Sequence, residues 1–320
     1  MIRRHFSPSK DNFNPDKYLT IVALEDGLTI TCQGGIYYKV ENEAWGFLHP
    51  KTDSKQINKG ERIYIKSEWS AKPEWHTSIG CISISKKCNL EGNCFSLIFG
   101  DNADKMDEST NIPEYIFTDL FAFNDTIIEV SPSFLPATKL SAFCYSYMFY
   151  SCHNLTTAPV LPATTLVNGC YNSMFYVCTS LTTAPELPAT TLADYCYYNM
   201  FGGCTSLTTA PALPATTLVN SCYGTMFQNC TSLTTAPELP ATTLVSYCYS
   251  NMFYGCSKLN YIKMLATYIY VTHGLTNWVS GVASSGTFVK NPEATWDVVG
   301  ENGVPSGWTV KFDGEEDGGG

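Results

Sequence analysis

The sequence predicts an α/β leucine-rich-repeat solenoid with 26-residue repeats, short parallel strands plus helices. An N-terminal all-β sandwich-like domain precedes it and a C-terminal cap closes it. Three observations carry this. The chain matches itself at a strict period of 26 with leucines in fixed places, and periods of 20–29 of that kind mark leucine-rich repeats. Each unit holds one apolar stripe followed by a short run that ends in proline. The first hundred residues show closely spaced strand signals without helical stretches.

Composition bounds the rest. Of 320 residues, 44% are hydrophobic, 13% aromatic and only 15% charged, against a usual ~25%. That excludes a largely disordered chain. A net charge of −10 without a basic block argues against nucleic acid as partner. No run approaches the ~18 apolar residues of a membrane helix, so no membrane insertion is expected.

The N-terminal extension, 1–17, is basic at Arg3, Arg4 and His5 but lacks the apolar core of a signal peptide. The expectation is a chain that folds in the cytoplasm if no leader was trimmed. Residues 18–112 form the predicted β domain, with strands over 18–24, 28–32, 36–40, 62–66, 79–85 and 95–99. Glu25-Asp26-Gly27 is a turn signal between the first two. A polar stretch from Asp101 to Pro113 links this domain to the repeats.

The solenoid spans 113–264, with one degenerate unit and full units starting at Leu135, Leu161, Leu187, Leu213 and Leu239. Leu140, Cys144, Met148 and Cys152 recur at i, i+4, i+8 and i+12, with Tyr145 and Phe149 beside them. That spacing predicts a helix of about three turns. Leu155-Thr156-Thr157-Ala158 reads as a short strand ended by Pro159, which has no N–H for a ladder. Stacking on neighbours is then obligatory. Residues eight apart on a helix lie roughly 12 Å apart, and packed helices roughly 8–10 Å. Both exceed the ~7 Å disulfide limit, so the ten repeat cysteines are expected as reduced core residues. Residues 265–312 form the cap, with a helix around 275–282 and terminal strands, and 313–320 is an acidic, glycine-rich tail.

The repeat resembles the BspA-type leucine-rich-repeat family. The matching pieces are Met174-Phe175…Cys178-Thr179-Ser180-Leu181-Thr182 and Met200-Phe201…Cys204-Thr205-Ser206-Leu207-Thr208. The unit is about three residues longer than the family's and carries a second cysteine, Cys170 or Cys196. The segment from Gly92 to Asn102, and Ser285–Lys290 with Val304–Val310, are similar to segments flanking such repeats in proteins of gut Bacteroidales and their phages. The resemblance implies surface adhesion or recognition rather than catalysis.

Catalytic signals are poor. Ser7-Pro8-Ser9-Lys10 and Ser83-Ile84-Ser85-Lys86 match S-x-x-K without its partner motifs. His76, Cys81, Cys88 and Cys94 lack the close cysteine pair of a structural zinc site. No metal, no cofactor and no enzymatic activity are expected, and His153 reads as a solvated substitution. Between Leu135 and Met264 the only charges are Lys139, Glu186, Asp194, Glu238, Lys258 and Lys263. Unit-to-unit variation concentrates at Phe143, Tyr147, Tyr150, Tyr176, Tyr195, Tyr198, Tyr247 and Tyr254, on the helix side. Tyrosine among small hydrogen-bonding residues suits glycans and protein epitopes. The alternative ligand surface is the strand-face ladder of Thr156, Thr157, Thr182, Thr183, Thr208, Thr209, Thr234 and Thr235.

The functional expectation is a non-enzymatic adhesion protein whose partner is a protein or surface glycan of a bacterial or host cell. It would be a phage virion component, fibre or decoration, joined to other virion proteins through the β domain. The alternatives are a bacterial cell-surface adhesin with its leader trimmed, and a purely structural spacer in a larger assembly.

Overall fold

The structure is a computed structural model that describes residues 13–67, 82–106 and 109–315. Among the described residues twelve strands form, in chain order: β1 (Leu19–Ala23), β2 (Leu28–Cys32), β3 (Ile36–Val40), β4 (Gly46–Leu48), β5 (Lys55–Ile57), β6 (Arg62–Lys66), β7 (Ile82–Ile84), β8 (Cys88–Glu91), β9 (Ile127–Val130), β10 (Tyr261–Met264), β11 (Thr287–Lys290) and β12 (Thr309–Phe312). One sheet has the order β4-β3-β6-β1-β8-β9 and a second the order β5-β2-β7. β1 is buried along its whole length, paired antiparallel with β6 and β8. Glu25-Asp26-Gly27 therefore does not close a hairpin. It carries the chain from one sheet to the other, with Gly27 at φ 70°.

Two expectations in this region change. The run at 95–99 is a four-residue helix, α1 (Ser96–Phe99), not a strand. The Asn93 side chain accepts the Phe95 N–H at 2.8 Å, and the Ser96 hydroxyl sits between the Leu19 N–H (2.9 Å) and the Ile65 carbonyl (2.7 Å). A five-residue run with four apolar residues fits either structure by periodicity alone. The strand expected at 79–85 is described only over Ile82–Ile84, since 79–81 lie outside the described residues.

The repeats do not contain the expected helices. Residues 141–152 form consecutive tight turns, and so do their equivalents in the other units. Cys144, Ser146, Met148, Tyr150 and Cys152 each donate a backbone N–H three residues back within the coil. The alternate amides of Phe143, Tyr145, Tyr147, Phe149 and Ser151 donate instead to carbonyls of the next coil, at 2.7–3.1 Å. An α-helix would satisfy all of these internally. Here half the amides of each ribbon require the following coil, since a buried unpaired N–H is costly.

Every fourth residue adopts a left-handed conformation: Phe143 (φ 53°), Tyr147 (φ 56°) and Ser151 (φ 55°) in one coil, Tyr195, Asn199 and Gly203 two coils later. The same period holds at Tyr115, Asp119 and Phe123, and at His273, Asn277 and Gly281. The ribbon thus reaches past Met264, and the helix expected at 275–282 is its last occurrence. Asn and Gly recurring at these positions were the sequence signal that a helical stripe does not account for.

Inside the ribbon, equivalent side chains stack in columns. Tyr145, Tyr171, Tyr197, Tyr223 and Tyr249 follow one another with ring centroids 5.8–6.0 Å apart, and Phe149, Phe175, Phe201, Phe227 and Phe253 at 5.7–5.8 Å. With coils this close, the helix-packing distance no longer separates equivalent cysteines. Among the described residues the cysteines are nonetheless free and buried. The Cys152, Cys178, Cys204, Cys230 and Cys256 thiols each donate to a phenylalanine carbonyl one coil back, at 3.0–3.2 Å.

The threonine runs are extended, but most units form single parallel bridges instead of strands, as at Thr183↔Thr209. Full strands appear only at the ends of the array. β9 pairs parallel with β8 and bridges through Glu129 to Thr157, which joins the N-terminal sheet to the repeats. β10, β11 and β12 form the parallel closing sheet. Three indoles tie the cap down, each donating to a carbonyl: Trp278 to Gly303, Trp296 to Ala266 and Trp308 to Ala283, at 2.7–2.9 Å. Among the described residues no helix is long and apolar enough to cross a membrane.

Candidate functional site

The groups that could carry catalysis are dispersed. His76, Cys81 and Ser7–Lys10 lie outside the described residues. Cys88 is fully buried, and burial pushes its thiol up to about 12. Ser85 accepts from the Thr29 N–H at 2.8 Å while Lys86 donates to the Asp26 carbonyl at 2.6 Å. Among the described residues no group of three His, Cys, Asp or Glu is placed to hold a metal. His153 is not simply solvated. Its Nδ1 lies 2.6 Å from Asp125 Oδ1, and its backbone N–H donates to the same oxygen at 3.0 Å.

The eight aromatics singled out on the ribbon side all lie outside the core columns. Tyr147, Tyr195, Tyr247 and Tyr254 are exposed, and Phe143, Tyr150, Tyr176 and Tyr198 are partly so. The four-residue turn sets this out, because it sends two residues inward and two outward in each step. Successive coils then align the outward residues. One outward column reads Tyr115, Phe143, Gly169, Tyr195, Ser221, Tyr247 and His273, spaced by 28 residues at the first step and 26 at each later one.

The structure divides these aromatics into two groups. Tyr150 contacts Phe123, Tyr147 and Tyr176 at centroid distances of 5.1, 5.6 and 5.0 Å. Further along, Tyr195 meets Tyr198 edge-on at 5.8 Å, and Tyr247 stacks on His273 at 4.8 Å. Between Tyr195, Tyr198 and Tyr247 opens a cavity of about 360 Å³, completed by Ser221, Thr225, Ser250 and Asn251. Those four polar residues were missed by sequence reasoning. Adding 26 to Tyr195 reaches Ser221, and adding one and two periods to Tyr198 reaches Gly224 and Ser250, beside Thr225 and Asn251.

The threonine candidates form a second surface. All eight are exposed, and Thr156 Oγ1 and Thr208 Oγ1 donate to the Ile128 and Thr182 carbonyls of the preceding coil. None of the eight threonines lines the cavity bordered by Tyr195, Tyr198 and Tyr247. Charge near it is local: Lys263 joins Glu238 at 3.3 Å and Asp313 at 2.9 Å.

A larger cleft, about 650 Å³, lies in the β domain and includes Phe13, Lys17, Tyr18, Lys39, Trp45, Lys66 and Asp101. Lys66 lies 4.2 Å from the Trp45 ring centre and 2.5 Å from Asp101, whose other oxygen accepts from the Tyr18 hydroxyl at 2.8 Å. Burial works to raise the Asp101 carboxyl, but bonds from Lys66 and Tyr18 and the Lys66 and Lys17 charges hold it below its ordinary value. These residues come from five separate strands and loops, so nothing in the linear sequence grouped them. Comparison of the chain with protein-family models, with curated proteins and with solved structures finds no match to it.

Proposed function

We propose that this protein is a non-enzymatic recognition module, a solenoid of the BspA-like leucine-rich-repeat kind that presents its ribbon-side tyrosines to a protein or glycan on a cell surface. One observation carries the reading. Phe143, Tyr147, Tyr195 and Tyr247 occupy left-handed backbone positions, where a residue other than glycine costs roughly 1–2 kcal/mol. Equivalent positions in other coils hold Gly169, Asn199, Ser221 and Asn251. The fold therefore does not need aromatic rings there, and three of the four are exposed. Strain kept without a gain in burial points to function.

The β domain would hold the array in a larger particle, and a virion fibre or decoration protein meeting a host surface is the setting we favour. Binding of the labelled protein to intact candidate host cells tests this. The comparison is a variant carrying Tyr147→Asn, Tyr195→Asn and Tyr247→Asn, since asparagine already adopts the left-handed conformation in this ribbon at Asn199, Asn229 and Asn251. Saturable binding lost in the variant is the expected result. Binding kept by the variant but lost when Thr157, Thr183 and Thr209 are changed would move the site to the threonine ladder. No binding to any cell would favour a structural spacer.

A further inference from the structure

We propose that the cavity between Tyr195 and Tyr247 seats one neutral pyranose ring of a surface glycan; this rests on reading the array as a recognition surface. In the outward column, neighbouring rings stack wherever two coils both supply one. Tyr115 lies on Phe143 at 5.0 Å and 6°, and Tyr247 on His273 at 4.8 Å and 26°. Gly169 interrupts the column once, and there the Phe143 ring fills the space, 2.2 Å from where a Cβ would stand. Ser221 interrupts it a second time, and there the space stays open.

One wall of this slot is the Tyr247 face turned away from His273. The other is the Tyr195–Tyr198 pair, with interplanar angle 67°. Tyr198 leans over Gly224, where a Cβ would lie 3.1 Å from its ring. Coils in this column set rings about 5 Å apart, so a ring inserted at Ser221 falls within the 4.5–7 Å range of stacking contacts. The volume lies within the roughly 300–1,000 Å³ of small-molecule sites.

The lining chooses the ring. A pyranose offers an apolar C–H face to Tyr247 and hydroxyls around its edge to Thr225, Ser250 and Asn251. An aromatic side chain would fill the gap in the column but add no edge hydroxyls for that rim, where the Thr225 hydroxyl donates to the Gly224 carbonyl and the Asn251 amide to the Ser250 hydroxyl, leaving further donor and acceptor capacity. No carboxylate, ammonium or guanidinium group lines the slot, so a carboxylated sugar would find no partner for its charge.

Saturation-transfer NMR on the full chain tests the slot with methyl glycosides of glucose, galactose, mannose, fucose and N-acetylglucosamine. The decisive variant is Ser221→Tyr, which completes the column. Ser221 has φ 54°, and Tyr195 and Tyr247 hold the equivalent position at 57° and 56°, so the backbone accepts tyrosine. At least one glycoside is expected to bind saturably, with affinity reduced tenfold or more by Ser221→Tyr and unchanged by Glu186→Gln, an exposed position outside the slot and both candidate surfaces. Tyr247→Asn gives the same answer should Ser221→Tyr not fold. Failure of every glycoside to bind, binding unaffected by Ser221→Tyr, or preference for N-acetyltyrosinamide over the sugars would each overturn the proposal. Cell binding separates the two levels. Equal binding by wild type and Ser221→Tyr leaves recognition standing and removes the slot; no binding by either removes both.

Discussion

The Cys178 thiol donates to the carbonyl oxygen of Phe149, 29 residues earlier in the chain and one coil away, at 3.1 Å. Four further cysteines repeat that bond, so the second cysteine of each unit helps hold the coils in register. A thiol so placed is a small core residue with a weak donor, and a buried thiol is inert. In the native protein, Ellman's reagent is therefore expected to detect at most one fast thiol, Cys81 lying outside the described residues. All fourteen should react in denaturant. Rapid native reaction of several thiols, or a total well below fourteen without reductant, would contradict this arrangement.

The same burial predicts alkaline unfolding. Burial raises every array thiol, to about 12 at Cys144, Cys152, Cys204 and Cys256 and about 11 at Cys248. A pKa raised on folding gives stability that is complete below the unfolded value, ~8.5, and is lost as pH climbs towards the folded value. Each such thiol contributes a slope of about 1.4 kcal/mol per pH unit. Ten together give a loss on the order of 14 kcal/mol per unit, comparable with the whole stability of an ordinary domain. Circular dichroism should show an intact fold at pH 8 and cooperative unfolding by about pH 10. An unchanged spectrum at pH 11 would rule the mechanism out.

Val177 carries a left-handed backbone with φ 58°, where the two following units have Gly203 and Asn229. A β-branched residue fits that conformation badly. Val177→Gly is expected to gain about 1 kcal/mol net of the entropy glycine loses, seen as a rise of about 2 °C in the thermal midpoint. A fall in the midpoint would mean that Val177 packing outweighs its strain.

The Tyr171 and Tyr223 hydroxyls are buried without a hydrogen-bond partner. Such a group costs roughly 1–3 kcal/mol. Phe117 occupies the same column in the first coil and stacks on Tyr145 at 5.6 Å and 6°, so phenylalanine suits the packing. Tyr171→Phe and Tyr223→Phe should each stabilise by about 1 kcal/mol in urea unfolding. Destabilisation by either would show that the hydroxyl has a partner in solution.

How much of this was legible beforehand varies with the residue. The period, the Cys-Tyr and Met-Phe core pairs and the outward tyrosines followed from repetition alone, because identical units must bury identical positions. The helix did not survive. Apolar residues strictly four apart fit a helix stripe over three turns and fit a chain of four-residue turns equally well. Asn229, aligned with Gly203, Gly255 and Gly281, and Asn199 and Asn251, four residues before that column, were the distinguishing residues, and helical periodicity has no place for them.

By itself, then, the sequence determined the repeat, the composition of its core, the apolar, nearly uncharged character of the array and the candidate aromatic surface. These depend on residue type and spacing along one unit. Only the tertiary structure decided that alternate amides bind the next coil, that β8 joins the N-terminal sheet to β9, and that Ser221 leaves a cavity between Tyr195 and Tyr247. Those features depend on residues 25 or more positions apart meeting across a coil boundary. Their backbone hydrogen bonds and empty volumes have no signature within any single unit.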